Sequence, residues 1–229
     1  MAEQYVLDNF CWHALNSDHA HLAGGGVGLA KRYRADVSGA SALAEHSEAA
    51  YHDLTQIVDV GETTALFEAN PPQQMPGWTM RSSFVVDQLI CQRPVPEAQS
   101  TVNIIDLNAT DVPEIMPLIA LTRPGPFFAR TIETGRYIGI RQGGALVAMA
   151  GQRHRFNGYC EISSVCTHPD WQGKGYARVL TSSLVNMIWE EQRVPFLHVF
   201  SNNTSAYRLY ESLNFSKRCE MTAQIISRA

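Results

Sequence analysis

Beyond residue 96 the chain alternates between strand-like and helix-like runs, and this alternation limits the fold more than any other feature of the sequence. Two prolines, Pro94 and Pro96, precede it, and neither fits inside a helix or a central strand. One predicted helix has Ile115, Leu118 and Ile119 on a single face. The other predicted elements are helices at residues 175–192 and 204–213 and strands at residues 101–106, 136–141, 145–152, 159–166, 196–200 and 217–226.

The order of these elements is β-α-β-β-β-α-β-α-β. It mixes hairpins with crossover connections, which indicates an α/β (α+β) fold with a mixed central sheet and helices on both faces. The first 93 residues show weaker patterns. We expect a strand at residues 64–68 and helices around a set of apolar residues, namely Leu43, Leu54, Ile57 and Val58.

A run of glycines at residues 24–28 invites comparison with a phosphate-binding loop. The segment before it is rich in His and Ala and does not resemble the strand that such a loop requires. We therefore interpret the run as a flexible turn between helices and assign it no chemistry.

Composition narrows the class of partner. The formal net charge is -4, with no block of basic residues, so a nucleic-acid surface is not expected. The five cysteines form neither a CxxC pair nor zinc spacing, which predicts reduced thiols and no metal. No stretch approaches the roughly 20 apolar residues of a membrane helix, and the N-terminus does not resemble an export signal. We expect a cytoplasmic protein without a membrane partner that acts on a metabolite-sized molecule.

Residues 165–178 hold the strongest local signal. An apolar strand ends, a loop follows, and Gly173 and Gly175 appear as a helix begins. A helix start presents free main-chain amides, and glycines let a bulky anion approach them. The segment is neither a Walker loop nor GxGxxG. A pyrophosphate cradle and an ordinary glycine-containing helix start both remain open on this segment alone.

A second segment lies about thirty residues downstream, directly after a predicted strand. The two segments are Gln172-x-x-Gly175-x-Ala177 and Asn203-x-x-Ala206-x-x-Leu209-Tyr210-Glu211-x-Leu213-x-Phe215. Together they resemble motifs A and B of the GCN5-related N-acetyltransferase (GNAT) superfamily, and the residue pattern is most similar to that of its FR47-like branch. The resemblance covers about residues 101–229. Asn214 departs from the usual glycine, but Asn tolerates a left-handed backbone nearly as well.

The resemblance implies acetyl-CoA as co-substrate. By that resemblance, the main chain of Val165, Cys166 and Thr167 contacts the pantetheine arm beside a splayed sheet, and Asn203 hydrogen-bonds the same arm. The amides of one short turn hold the pyrophosphate; its residues are Gln172, Gly173, Lys174, Gly175, Tyr176 and Ala177. The cations of Lys174 and Arg178 either contact phosphate oxygens or are solvated at the surface.

Two residues are candidates for proton transfer. Glu161 lies eleven residues before Gln172, the spacing of the catalytic glutamate in histone-acetylating members, and we expect it to act as the base. The alternatives are a water relay, an exposed strand residue or a salt-bridge partner. Tyr210 occupies the usual place of the general acid, the alternative being a ring packed in the core. For Cys166, a small buried apolar residue is favoured over an acetylated nucleophile.

The acceptor site is expected in the loop at residues 121–128, where Arg123, Phe127 and Phe128 are the candidate substrate-binding residues. A guanidinium suits a carboxylate-bearing acceptor, although a rigid connector covering the core explains the same residues. We divide the chain into residues 1–98, a smaller and degenerate N-terminal α/β part, and residues 99–229, the catalytic part. The first part is expected to cover the acceptor site or to form a homodimer surface.

The predicted function is transfer of an acetyl group from acetyl-CoA to the primary amine of a small molecule or amino acid by direct attack. Two alternatives stay open. One is a non-catalytic acyl-CoA-binding or sensor module, and the other is acetylation of a protein N-terminus or lysine side chain.

Overall fold

The computed structural model describes residues 6–69, 77–96 and 101–228. Its strands are β1 (Ala23–Val27), β2 (Ala30–Tyr33), β3 (Ser41–Leu43), β4 (Thr63–Glu68), β5 (Trp78–Cys91), β6 (Ile104–Leu107), β7 (Tyr137–Gln142), β8 (Ala145–Phe156), β9 (Tyr159–Thr167), β10 (Val194–Val199) and β11 (Phe215–Arg228). The α-helices are α1 (Phe10–Leu15), α2 (Glu48–Thr55), α3 (Val112–Thr122), α4 (Tyr176–Glu190) and α5 (Thr204–Glu211). The elements predicted after residue 100 are all present, with ends that differ by a few residues.

Eight strands form one sheet in the order β4-β11-β5-β10-β9-β8-β7-β6. The β9–β10 pair is parallel, and the other described pairs in this sheet are antiparallel. The prediction of a mixed central sheet is therefore confirmed. The parallel pair requires a crossover, which α4 provides.

Helices cover both faces of this sheet, as predicted. Leu180 and Leu184 of α4 pack in one core with Ile162 of β9. Ile115 and Leu118 of α3 are buried in another core, which contains β-strand residues that point to the opposite side. Successive strand residues face opposite sides of a sheet, so each central strand contributes to both cores.

The start of α3 is stabilised by local hydrogen bonds of the residues that precede it. The Asn108 side chain accepts a hydrogen bond from the Thr110 amide at 2.9 Å, and the Asp111 carboxylate accepts one from the Asn108 amide. Pro113 lies in the first turn, where a missing N–H costs nothing. The helix ends at Arg123, whose φ of 49° is left-handed. These caps place the loop after α3 at the edge of a cavity described below.

The N-terminal part adds two strands to the large sheet, and β5 lies between β10 and β11. The strand predicted at residues 64–68 is present as β4, whereas strand β5 was not predicted. A separate three-stranded sheet has the order β1-β2-β3. The predicted division between residues 98 and 99 lies outside the described residues.

Two predictions in this part are wrong. The glycine run forms most of strand β1, which pairs antiparallel with β2. Only a glycine fits at residue 24, because an added Cβ would meet the Arg34 main chain at 2.7 Å. Leu43 lies in β3 and not in a helix. Leu54 is in α2 as expected, although Ile57 and Val58 follow its end.

Candidate functional site

The parallel strands β9 and β10 pair only at their beginnings. Their last paired residues are Glu161 and Phe196, after which β9 continues to Thr167 and β10 to Val199 without contact between their main chains. A bulge in β9 supports this divergence, since Ser164 has a φ of 55° and the register with β8 shifts beside it. The result is a wedge between two central strands with an unpaired β9 edge.

The wedge opens into a cavity of about 680 Å³. Its walls come from β9, β10, the loop before α4, the start of α5 and the loop after α3. The lining residues are Val86, Thr122, Arg123, Pro124, Gly125, Ile162, Ser163, Ser164, Val165, Cys166, Thr167, Trp171, Gln172, Gly173, Ala177, His198, Val199, Phe200, Asn203, Ser205, Ala206, Leu209 and Tyr210. Two segments that are thirty residues apart in the sequence therefore meet at one site.

The loop before α4 presents free main-chain donors to this cavity. Within the described chain, the amides of residues 173–178 donate to no other main-chain group. Gly173 and Gly175 have φ values of 76° and 77°, and nothing lies within 4 Å of where their Cβ atoms would be. Free amides at the positive end of a helix bind phosphate oxygens well. The loop therefore fits the pyrophosphate of a CoA-type cofactor.

Most of the residues predicted to bind the cofactor line this cavity; they are Val165, Cys166, Thr167, Gln172, Gly173, Ala177 and Asn203. Asn203 also caps α5, because its Oδ1 accepts a hydrogen bond from the Ala206 amide at 3.2 Å.

The other four predicted cofactor residues lie elsewhere around the loop. Lys174 Nζ sits 4.5 Å from the centroid of the Trp171 ring. Gly175 is the N-cap of α4, and Tyr176 is buried in the α4 core. Arg178 donates to the Ser212 hydroxyl at 2.5 Å, which directs its guanidinium towards the end of α5.

Glu161 is buried behind the cavity and is bonded to two histidines. Its side chain does not line the cavity, whereas that of His198 does. His198 Nδ1 lies 2.8 Å from Glu161 Oε1, and His154 Nδ1 is bonded to Oε2. Burial by itself would raise the pKa of the Glu161 carboxyl, but the two imidazoles outweigh burial and hold that pKa well below its usual range. Glu161 is therefore an ionised group that reaches the cavity only through His198.

The outer nitrogens of the two histidines are also hydrogen-bonded. The Gln88 amide donates to His198 Nε2 at 3.0 Å, because its oxygen already accepts from Arg218. Cys11 Sγ lies 3.4 Å from His154 Nε2, and burial raises the pKa of this thiol, so the thiol is the donor. The network assigns a proton to Nδ1 of each imidazole, and both Nδ1–H groups donate hydrogen bonds to the Glu161 carboxylate.

Tyr210 lines the cavity from α5 and is 8% exposed. Burial raises its pKa to about 12, so its hydroxyl keeps its proton at neutral pH. Its ring packs against Phe215 at a centroid distance of 5.8 Å. The ring is therefore packed in the core, and the role of Tyr210 as general acid stays a prediction. Cys166 is buried, and burial raises its pKa to about 11, which favours the small buried residue over a nucleophile.

The three predicted acceptor-binding residues separate in space. Arg123 is exposed and lines the cavity. Phe127 is buried beneath α3, where its ring meets Tyr137 edge-on at 5.6 Å. Phe128 points towards Gly39 of the N-terminal part, and a Cβ at Gly39 would lie 3.6 Å from its ring. Of the three, only Arg123 is placed to meet a molecule in the cavity.

Sequence reasoning missed His198, Gln88 and Trp171. A polar residue between Leu197 and Val199 in an otherwise apolar strand is the one local signal that His198 offered. Gln88 gave none, because its contact with His198 spans 110 residues of the chain.

A wedge between parallel strands, next to free amides at a helix start, defines an acyltransferase fold of the GNAT type. A structure assigned to the GNAT-family acetyltransferases, from Novosphingobium aromaticivorans, matches with a TM-score of 0.90 and 32% identity, over 99% of this chain and 100% of that chain. A GCN5-related N-acetyltransferase from Kribbella flavida shares the fold, with a TM-score of 0.65, 16% identity and 96% of both chains covered. No curated protein matches the sequence significantly.

The family model described as FR47-like protein matches residues 137–224. The chain belongs to the GCN5-related N-acetyltransferase superfamily, and this segment is similar to its FR47-like branch. Within residues 6–69, 77–96 and 101–228, no helix has the length and apolar character to cross a membrane. The same residues contain no group of three or more His, Cys, Asp or Glu side chains able to hold a metal ion.

Proposed function

We propose that this protein transfers an acetyl group from acetyl-CoA to the primary amine of a small molecule or amino acid by direct attack. One observation supports this most: Gly173 and Ala177 of the loop with free amides, the unpaired β9 edge and Tyr210 all border one cavity. Each matches a different part of an acyl thioester cofactor. Acetyl-CoA supplies a thioester carbonyl that an amine attacks, with a thiolate as leaving group.

The main chain of this protein binds and orients the cofactor. The amides of residues 173–178 donate to the pyrophosphate, where Gly173 and Gly175 allow close approach. The unpaired edge at Val165, Cys166 and Thr167 offers strand-type hydrogen bonds to an extended chain with amide groups.

We propose that Glu161 acts on the acceptor proton through His198. His198 lines the cavity and donates its Nδ1 proton to Glu161, so its Nε2 is the atom able to take a proton. The bond from the Gln88 amide to Nε2 has to be exchanged for one from the amine or from a water molecule. The resulting imidazolium is stabilised by the Glu161 carboxylate.

Tyr210 is proposed as the proton donor to the departing thiolate. A thiol has a pKa of about 8.5, so the thiolate needs little help at neutral pH. The Tyr210 hydroxyl remains protonated and lies on the cavity wall, which suits that role.

We propose that Arg123 binds a carboxylate on the acceptor. Arg123 lines the cavity and, in the described part of the chain, its guanidinium forms no ion pair. That arrangement favours an amino acid over an unsubstituted amine. A cytoplasmic location, and an N-terminal part that covers the acceptor site or forms a homodimer surface, stay predictions.

Two measurements test the proposal. Isothermal titration with acetyl-CoA should show binding in the micromolar range, and absence of binding up to millimolar concentration would overturn the proposal. Screening amines and amino acids by thiol release then identifies the acceptor. Binding without thiol release for any small amine, protein N-terminus or lysine peptide would instead support the sensor module.

A further inference from the structure

The N-terminal part contains a second cavity, the Glu68 cavity, of about 140 Å³. It lies between the chain entering α1, strand β3 and the end of β4. None of the residues that line it also lines the large cavity. Its lining combines titratable residues, among them Asp8, His46 and Glu68, with the apolar residues Ala42, Leu43 and Leu66. The cavity thus offers both polar and apolar contacts to a bound molecule.

Glu68 is the unusual member of this set. The residue is 4% exposed, and neither of its carboxyl oxygens accepts a hydrogen bond from the residues that the structure describes. His46 Nδ1 lies 3.4 Å from Glu68 Oε1. Burial lowers the pKa of His46, so the imidazole tends to be neutral and gives the carboxyl little charge compensation. A buried carboxyl without hydrogen-bond donors destabilises the folded protein. A bound molecule that supplies those donors removes this penalty, which favours its binding.

We propose that the Glu68 cavity binds the ammonium group of a small organic amine, with the ammonium at Glu68 and the alkyl chain along Leu43 and Leu66. An ammonium group brings both a positive charge and three N–H donors. The volume is close to that of a cavity able to hold one benzene-sized molecule, about 150 Å³. The Asp8 carboxylate is paired with Arg218, and the described residues contain no group of three or more side chains able to hold a metal ion, so the cavity suits an ammonium group better than a metal.

The pKa of Glu68 gives this proposal a pH signature. Burial raises that pKa to about 8, so the empty cavity holds a protonated carboxyl at pH 7. Four other titratable side chains surround it. Asp8 is paired with Arg218, burial raises the pKa of both Cys11 and Tyr51, and burial lowers that of His46.

Binding of an ammonium ion favours the ionised carboxylate and releases the Glu68 proton. Affinity should therefore rise about tenfold between pH 7 and pH 9, since an alkylammonium stays charged up to about pH 10.

The test is isothermal titration of the full-length protein with n-butylammonium chloride, without acetyl-CoA, so that its outcome is independent of acetyl transfer. The wild type should bind, more tightly at pH 9 than at pH 7. Glu68→Gln should weaken binding at least tenfold at pH 9, whereas Glu45→Gln, a matched change at an exposed neighbour, should leave it unchanged. The neutral isostere 1-butanol should bind at least tenfold more weakly.

Three results would overturn the proposal: equal binding of 1-butanol, unchanged binding in Glu68→Gln, or displacement of the amine by equimolar potassium or zinc ions. If Glu68→Gln does not fold, the wild-type comparison between pH 7 and pH 9 decides the question. No increase in affinity at the higher pH would then refute a site at Glu68.

Discussion

His198 Nδ1 lies 2.8 Å from Glu161 Oε1. In β10, His198 comes two residues after Phe196, the last residue that pairs with β9. The contact forms where β9 and β10 diverge, so the imidazole faces the cavity while the carboxylate stays buried behind it. A histidine backed by a carboxylate is an established arrangement for moving protons in enzymes. It connects the predicted base to the cavity by one side chain.

Replacing Glu161 by Gln should lower kcat by roughly 100-fold, because the imidazolium at His198 loses its counter-charge. His198→Gln should have a similar effect, and the double variant should lose little more, since the two residues act as one unit. The measurement is thiol release with the identified acceptor, together with acetyl-CoA titration. Glu190→Gln, at an exposed position on α4, is the matched control. Full activity of Glu161→Gln would exclude Glu161 from proton transfer.

Tyr210→Phe should reduce kcat roughly 10- to 100-fold and leave the Kd for acetyl-CoA within twofold. The hydroxyl is lost while the ring can still pack against Phe215. Tyr207→Phe is the control on the same helix, because the Tyr207 hydroxyl bonds Asp87 and does not line the cavity. If both variants lose activity equally, the effect comes from helix α5 and not from a proton donor.

Gly173→Ala should raise the Kd for acetyl-CoA by about tenfold, because a side chain costs about 1 kcal/mol at positive φ and obstructs the approach to the amides. Gly158→Ala offers a control with the same backbone strain, since Gly158 has a φ of 77° in the β8–β9 turn and open space around it. Both variants should lose similar stability in urea denaturation. Only Gly173→Ala should weaken binding, and equal Kd values would argue against the pyrophosphate cradle.

The stability of the protein should depend on pH through Glu68. Burial raises the pKa of this carboxyl from 4.5 to about 8, so folding takes up a proton between those values. The free energy of unfolding therefore falls as pH rises through this window. Glu68→Gln removes the dependence, and its advantage over the wild type should grow by at least about 1 kcal/mol from pH 5 to pH 9. Urea denaturation at both pH values measures this, and a constant difference would contradict the raised pKa.

The sequence predicted the C-terminal elements well because their signals are local. Gly175 at the start of α4 and Asn203 at the start of α5 lie at helix ends that short motifs define. The loop amides and Tyr210 follow from those same motifs. Local rules therefore predicted the cofactor side of the site.

The acceptor side depends on contacts between distant parts of the chain. Strand β5 lacks a period-2 pattern, because its first seven residues after Trp78 are largely exposed and its last six are buried. Without β5, Gln88 could not be placed beside His198. The partnership between His198 and Glu161 depends on the parallel register of β9 and β10, which no local pattern reveals.

Strand β5 is made early in the chain but has β10 and β11 as its neighbours. On the ribosome it emerges about a hundred residues before either partner, so it stays unpaired until β10 and β11 have been made. A nascent chain stalled in α4 would expose both edges of β5 to other chains. Efficient folding should therefore depend on rapid synthesis of the segment from α4 to β11.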